Sequence, residues 1–178
     1  MFQKLQTYAQ LVVEFVCERE VWASPIAFVL AFGESLPFIS LLIPAWAALV
    51  GIGLLIGTGH LNFWPIWIAG AIGAALGDWL SYWLGMQVGT SITRIWPLSR
   101  QPELLPKGQA FVERWGAPAI FIGRFFGPLR ATVPLAAGIF LMPYWHFQIA
   151  NFSSAFVWAG ALLGFGDAVV MVVEWLWR

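Results

Sequence analysis

Glu34, Asp78, Arg124, Arg130 and Asp167 are ionisable residues set inside long hydrophobic stretches of the chain. An ionised side chain at the centre of a bilayer costs about 2.5–3.5 kcal/mol on insertion scales, so such residues pair with one another, bind a ligand or carry protons. Arg124 and Arg130 offer planar guanidinium forks suited to two oxygens of a phosphate. Glu34 and Asp78 are the candidate proton-coupling groups, because burial and a neighbouring arginine act on a carboxyl in opposite directions. A plainer reading of the same residues is that they only pair with each other and hold broken helices together. Asp78 and Asp167 each follow a glycine and could bridge to a neighbouring helix, and Asp167 is read as structural. Tyr82, four residues after Asp78, shares its helix face and is placed to hydrogen-bond to it.

The elements that must position these groups are membrane elements. The 178 residues are 60% hydrophobic and 10% charged, with a mean hydropathy of +0.78. A soluble domain carries about 25% charge. The chain therefore reads as one all-α integral membrane domain, residues 1–178. Its zero net charge gives no reason to expect nucleic acid. A single cysteine, Cys17, excludes an intrachain disulfide and a cysteine-based zinc cluster. There is no Gly-x-Ser-x-Gly, His-Glu-x-x-His or P-loop, so no enzyme activity, metal or cofactor is expected. His60 and His146 fall near segment ends and read as interfacial. The N-terminus does not read as a signal peptide, since Glu14 and Glu18-Arg19-Glu20 interrupt its apolar run.

Residues 1–22 show an apolar face (Phe2, Leu5, Ala9, Val12, Val13, Val16) opposite Lys4, Gln10, Glu14 and Glu18. This predicts a helix lying in the interface plane, or one packed on the bundle. Residues 24–88 form a first unit. Its opening arm, residues 25–35, is about 17 Å long as a helix, too short for about 30 Å of hydrocarbon. Glu34, Pro37 and Pro44 break the stretch, and a second arm runs to about Ile56. Two short arms predict a re-entrant hairpin; the alternative is a spanning helix over residues 36–56, kinked at Pro44. Residues 61–88 then make a helix long enough to span. Residues 89–116 are a polar loop ending in a short helix near residues 107–115. The loop holds four of the nine Lys and Arg residues, which places it in the cytoplasm by the positive-inside bias.

Residues 117–178 form a second unit. Its first stretch contains Gly123, Arg124, Pro128, Arg130 and Pro134 before a long helix over residues 143–177. Pro128 and Pro134 each remove a backbone donor and disrupt the preceding turn. On an unbroken helix Arg124 and Arg130 would point about 120° apart; a break at Gly127-Pro128 lets them converge.

Shifted by about 90 residues, the chain matches itself. Gly33-Glu34 falls on Gly123-Arg124, Pro44 on Pro134, and Gly77-Asp78 close to Gly166-Asp167. Each half is a broken hairpin with a charge, followed by a long helix. One hairpin and one full span per half leave the halves inverted in the membrane, a transporter plan with its site near the midplane between repeats. Glu34 is then expected within reach of Arg124 or Arg130.

These residues resemble the DedA family of membrane proteins, the VTT or SNARE-associated domain group. The motif Gly123-Arg124-Phe125-x-x-Pro128-x-Arg130, followed by Ala137-Gly138 and Met142, matches its pattern. So do Glu34, Ile43-Pro44 and Gly77-Asp78-x-x-x-Tyr82-x-x-Gly85, and the likeness covers residues 24–175. Many members carry an acid shortly after the proline equivalent to Pro44; here Ala45-Trp46 follows, leaving Glu34 as the acid of the first hairpin. The resemblance implies a multi-pass protein of the bacterial cytoplasmic membrane with two opposed hairpins. It implies movement of an anionic lipid, undecaprenyl phosphate or a phospholipid, between leaflets, with proton coupling. The expected partners are a lipid with a phosphate head group and protons, with a homo-oligomer left open. A proton-coupled small-solute or ion antiporter, or a non-transporting organiser acting through the 89–116 loop, would use the same sequence differently.

Overall fold

A computed structural model of the chain describes residues 20–36, 46–59, 61–89 and 104–176. The described residues are helical almost throughout. A 3-10 turn, Glu20–Trp22, leads into α1 (Ala23–Ser35), followed by α2 (Trp46–Gly57) and α3 (Phe63–Val88). The second part holds α4 (Leu104–Trp115), α5 (Ala117–Gly123), α6 (Gly127–Ile139) and α7 (Tyr144–Leu176). Two stretches, Phe63–Gln87 and Tyr144–Gly166, are long and apolar enough to cross a membrane; α1 and α2 are apolar but shorter. The expected helix over residues 1–22 is described only at its final turn. Cys17, Pro37, Pro44 and His60, and the side chain of Asp167, lie outside the described residues.

Local sequence sets the helix ends. Leu36 leaves the helical region for φ −85°, ψ 130°, as expected of a residue followed by proline. Asn62 caps α3, its side chain accepting from the Trp64 N–H at 3.2 Å. Gly89, at φ +55°, stops the same helix. The break in the second stretch falls at Arg124, Phe125 and Phe126, just ahead of the expected Gly127-Pro128. Pro128 sits in the first turn of α6, where a missing N–H leaves nothing unpaired. Pro134 does not break the chain: it lies inside α6, which continues to Ile139. One lost hydrogen bond is tolerated there because α6 is held along its length by α3 and α4.

The helices pack in a crossed pattern. The short helix α1 rests on α3, and α5 rests on α7, so the first arm of each pair lies on the long helix that follows it. The second arms are exchanged: α2 rests on α7, and α6 on α3. The long helices also touch each other. Both exchanged contacts are made through backbone. A Cβ on Gly138 of α6 would come within 2.0 Å of the Tyr82 carbonyl oxygen, and one on Gly85 of α3 within 2.3 Å of that of Leu135. At the other crossing, a Cβ on Gly53 would meet the Leu163 carbonyl oxygen at 2.6 Å, and one on Gly166 the Gly53 carbonyl carbon at 2.5 Å.

These crossings relate the two long helices position by position. Counted from the starts of the long helices, Gly166 stands at the same place in α7 as Gly85 in α3. Two apolar clusters fill the interior. One gathers Ala27, Ala31, Leu49, Ile52, Ile66 and Leu163, the other Tyr82, Val112, Ile120, Val133, Leu135 and Phe147. Val112 comes from α4, whose apolar face lies on α6; this is the short helix expected at the end of the polar loop.

Gly138→Ala is expected to destabilise the protein by about 1–3 kcal/mol through overpacking at the α3–α6 crossing. Gly164→Ala, where a Cβ would meet nothing within 4 Å, is expected to be neutral or to stabilise by up to about 1 kcal/mol from helix propensity. Thermal unfolding of the two detergent-purified variants side by side checks the pair.

Candidate functional site

Arg124 is the first residue after α5, in the turn that separates α5 from α6. Leaving the helix there lets its side chain run inward between α3 and α7, where it is 3% exposed. Its Nη2 donates to Asp78 Oδ2 on α3, in a buried salt bridge, and to Asn151 Oδ1 on α7 at 2.6 Å. Asn151 is itself fixed, donating Nδ2 to the Ala75 carbonyl at 2.9 Å and to Gln148 Oε1 at 3.4 Å. One arginine thus ties the two long helices together through an acid and an amide.

Arg130 lies in the first turn of α6, buried at 9% exposure. Its Nη1 donates to Glu34 Oε1 at 2.5 Å, and its guanidinium carbon sits 4.4 Å from the centroid of the Trp158 ring. Glu34, 3% exposed, belongs to the last turn of α1. Ser81 of α3 steadies that turn, donating its hydroxyl to the Ser35 carbonyl at 3.2 Å and to the Gly77 carbonyl at 3.0 Å. Asp78 lies on α3, against which both α1 with Glu34 and α6 with Arg130 pack, so the two ion pairs form one cluster. Both pairs join an acid from the first unit to an arginine from the second. The expected contact of Glu34 with one of the arginines is present, and it is with Arg130.

The cluster is charge-balanced but not saturated. Among the described residues, Arg124 Nε and Nη1, Arg130 Nη2 and Glu34 Oε2 are buried without a hydrogen-bond partner. A buried polar group left unpaired costs about 1–3 kcal/mol, more when charged. Three donor nitrogens on two cations and a single free carboxylate oxygen suit oxygen acceptors, from water or from an oxyanion.

Other expected site residues fall elsewhere. Tyr82 does not bond to Asp78. Its hydroxyl donates to the Met142 carbonyl at 2.6 Å and its ring stacks on Phe147 at 4.3 Å, because the turn after α6 brings an open carbonyl to the hydroxyl. Pro128 and Pro134 shape α6 without entering the cluster's hydrogen bonds. His146 lines an apolar groove with Phe121, Ile122 and Ile149. Asn151, Gln148, Ser81 and Trp158 are structural partners that residue type alone did not single out. The available signal was the polar run Gln148, Asn151, Ser153, Ser154 inside an apolar helix, since uncharged polar groups at membrane depth also need partners.

Removing one member of a buried ion pair strands the other, at a cost of about 3–5 kcal/mol, whereas replacing both by apolar residues of similar size is often near neutral. Asp78→Leu alone should therefore lower thermal stability more than Asp78→Leu combined with Arg124→Met. A double variant less stable than the single one would show that the Asp78–Arg124 pair is not what the cost depends on.

With this geometry in hand, likeness to known proteins is informative. Residues 43–168 match the VTT domain. Inner membrane protein YabI of Escherichia coli is 34% identical over 148 residues, covering 83% of this chain and 58% of that protein. Inner membrane protein YghB of the same species is 30% identical over 131 residues, 73% of this chain and 60% of the relative. A membrane protein of Synechocystis, slr0232, is 37% identical over 130 residues, 72% of this chain and 60% of the relative. The chain spans less than two thirds of the length of these relatives. No solved structure matches it. The matched region contains Asp78, both arginines and the four glycines of the exchanged crossings, and the chain belongs to the VTT-domain family of membrane proteins, the DedA group.

Proposed function

We propose that the chain moves an anionic lipid, undecaprenyl phosphate or a phospholipid, between the leaflets of a bacterial cytoplasmic membrane. The observation that carries this reading is the pair of buried guanidinium groups, of which Arg124 Nε and Nη1 and Arg130 Nη2 have no partner among the described residues. A phosphate supplies acceptor oxygens at the charge and geometry a guanidinium prefers. A lipid phosphate brings that charge to membrane depth without a separate aqueous path.

Glu34 and Asp78 act in this scheme as the groups that take up and release protons. An ionised carboxylate competes with phosphate for its arginine. Protonation removes the Coulombic attraction and releases a donor to the lipid; loss of the proton restores the ion pair and ejects the head group. The two halves are inverted repeats in the same scheme. The exchange of second arms between long helices, and the matching glycine crossings at Gly85–Gly138 and Gly53–Gly166, support that arrangement. So does the shortness of α1, at about 20 Å against about 30 Å of hydrocarbon, which suits a re-entrant arm. The polar loop of residues 89–116 faces the cytoplasm.

Purified protein in liposomes should transfer a labelled polyprenyl phosphate to the opposite leaflet. Arg130→Ala should slow transfer by about tenfold or more, a loss of about 1.4 kcal/mol or more of stabilisation. Arg114→Ala, on the exposed side of α4, should leave the rate unchanged. Equal rates for wild type and Arg130→Ala would remove the assigned role. Flux of a water-soluble solute driven by a pH gradient, without lipid transfer, would favour an antiporter.

A further inference from the structure

A groove of about 510 Å³ lies between α3 and α7, lined by Leu76, Trp79, Tyr144, Trp145, Gln148 and Phe152. Its volume falls in the range of small-molecule sites, about 300–1,000 Å³, and its mainly apolar walls with few polar groups are the usual composition of such sites. The aromatic side chains are exposed, Trp145 at 73% and Trp79 at 42%. In a membrane protein they face lipid, and Tyr and Trp favour the level of the head groups.

The groove is a departure from the symmetry of the packing. Counted from the starts of α3 and α7, Gln148 stands where α3 has Trp67, and Trp79 stands where α7 has Gly160. On that other side, Trp67 lies against Gly160, 3.2 Å from where its Cβ would be, and donates its indole N–H to the Phe156 carbonyl at 2.9 Å. A large ring over a glycine closes one side. An amide beside an exposed indole leaves the other open.

The open side leads to the charged cluster. Gln148 is 8% exposed and accepts from Asn151 Nδ2 at 3.4 Å. The other end of the Asn151 amide accepts from Arg124 at 2.6 Å. Two neutral amides therefore connect the groove to a buried cation that has unpartnered donors.

We infer that this groove is a lateral binding site for the hydrocarbon chain of a phosphate-bearing lipid, and that Gln148 is the side chain past which the head group moves towards Arg124. The inference rests on the phosphate-binding reading of Arg124 and Arg130. A lipid fits the chemistry at both ends: an apolar chain against Leu76 and Phe152, and an anion directed at a guanidinium. A neutral lipid lacks the anion, and free phosphate lacks the chain.

The test uses the full chain in phosphatidylcholine nanodiscs with trace phosphatidic acid carrying a photoactivatable group near the end of its acyl chain, beside the matched diacylglycerol. Phosphatidic acid should label residues 76–79 and 145–152, and excess unlabelled phosphatidic acid should reduce that labelling by about tenfold, as expected for competition at a saturable site. Diacylglycerol labelling should not be competed. Gln148→Trp, which copies the closed side, should abolish the competed labelling. Leu76→Trp fills the groove from α3 without touching the Asn151–Arg124 bond, and should do the same while slowing lipid transfer by about tenfold. Equal labelling by the two lipids, or wild-type labelling and transfer in a folded Leu76→Trp protein, overturns the inference and leaves the arginine site standing. Competed, phosphate-dependent labelling together with transfer indifferent to Arg130→Ala upholds the groove and overturns the transport role of the arginines.

Discussion

A cation in the interior of a membrane protein must find a counter-charge, and here each acid paired with an arginine lies across a boundary. Arg124 reaches from the second unit to Asp78 of the first, and Arg130 reaches to Glu34. Neither arginine pairs with an acid of its own unit among the described residues. Stranding a buried charge costs several kcal/mol, so the two halves are held together by ion pairs that each take one member from either half. The turn at Arg124–Phe126, the early end of α1 and the amide at Asn151 are each placed as that requirement demands.

The exchanged arms give the same dependence a mechanical form. Because α2 lies on α7 and α6 on α3, neither half completes its packing alone. At both crossings the contact is peptide against peptide, through Gly85 and Gly138 and through Gly53 and Gly166. Close backbone approach of this kind is the usual basis of tight helix association in membranes, where dispersion contacts replace the hydrophobic effect between helices. The interface between halves is thus firm at two points and polar between them.

Much of this was legible in the sequence, for identifiable reasons. Ionisable residues at Glu34, Asp78, Arg124 and Arg130 stand out because lipid penalises them so strongly. The ends of α1, α4 and α7 followed from Pro37, from the charged run before Trp115 and from Pro143. Pro134 misled, because its helix-breaking effect depends on whether neighbours hold the helix together, and α3 and α4 do so. Tyr82 misled because spacing along one helix identifies a shared face, while its actual partner, the Met142 carbonyl, belongs to a turn 60 residues away. Asn151 and Trp158 went unmarked because neither an amide nor an indole is costly enough to announce itself.

Trp158 has a consequence of its own. The attraction between a guanidinium and an indole face comes from the ring's quadrupole and is worth about 2 kcal/mol or more when desolvated. That attraction does not titrate. Glu34 can lose its charge, and with it most of its hold on Arg130, while the indole beneath keeps the same field at any pH. In the proton-coupled scheme proposed above, the arginine has one partner that answers to protons and one that does not. In that scheme the indole holds the side chain in the site while the carboxylate gains or loses its charge.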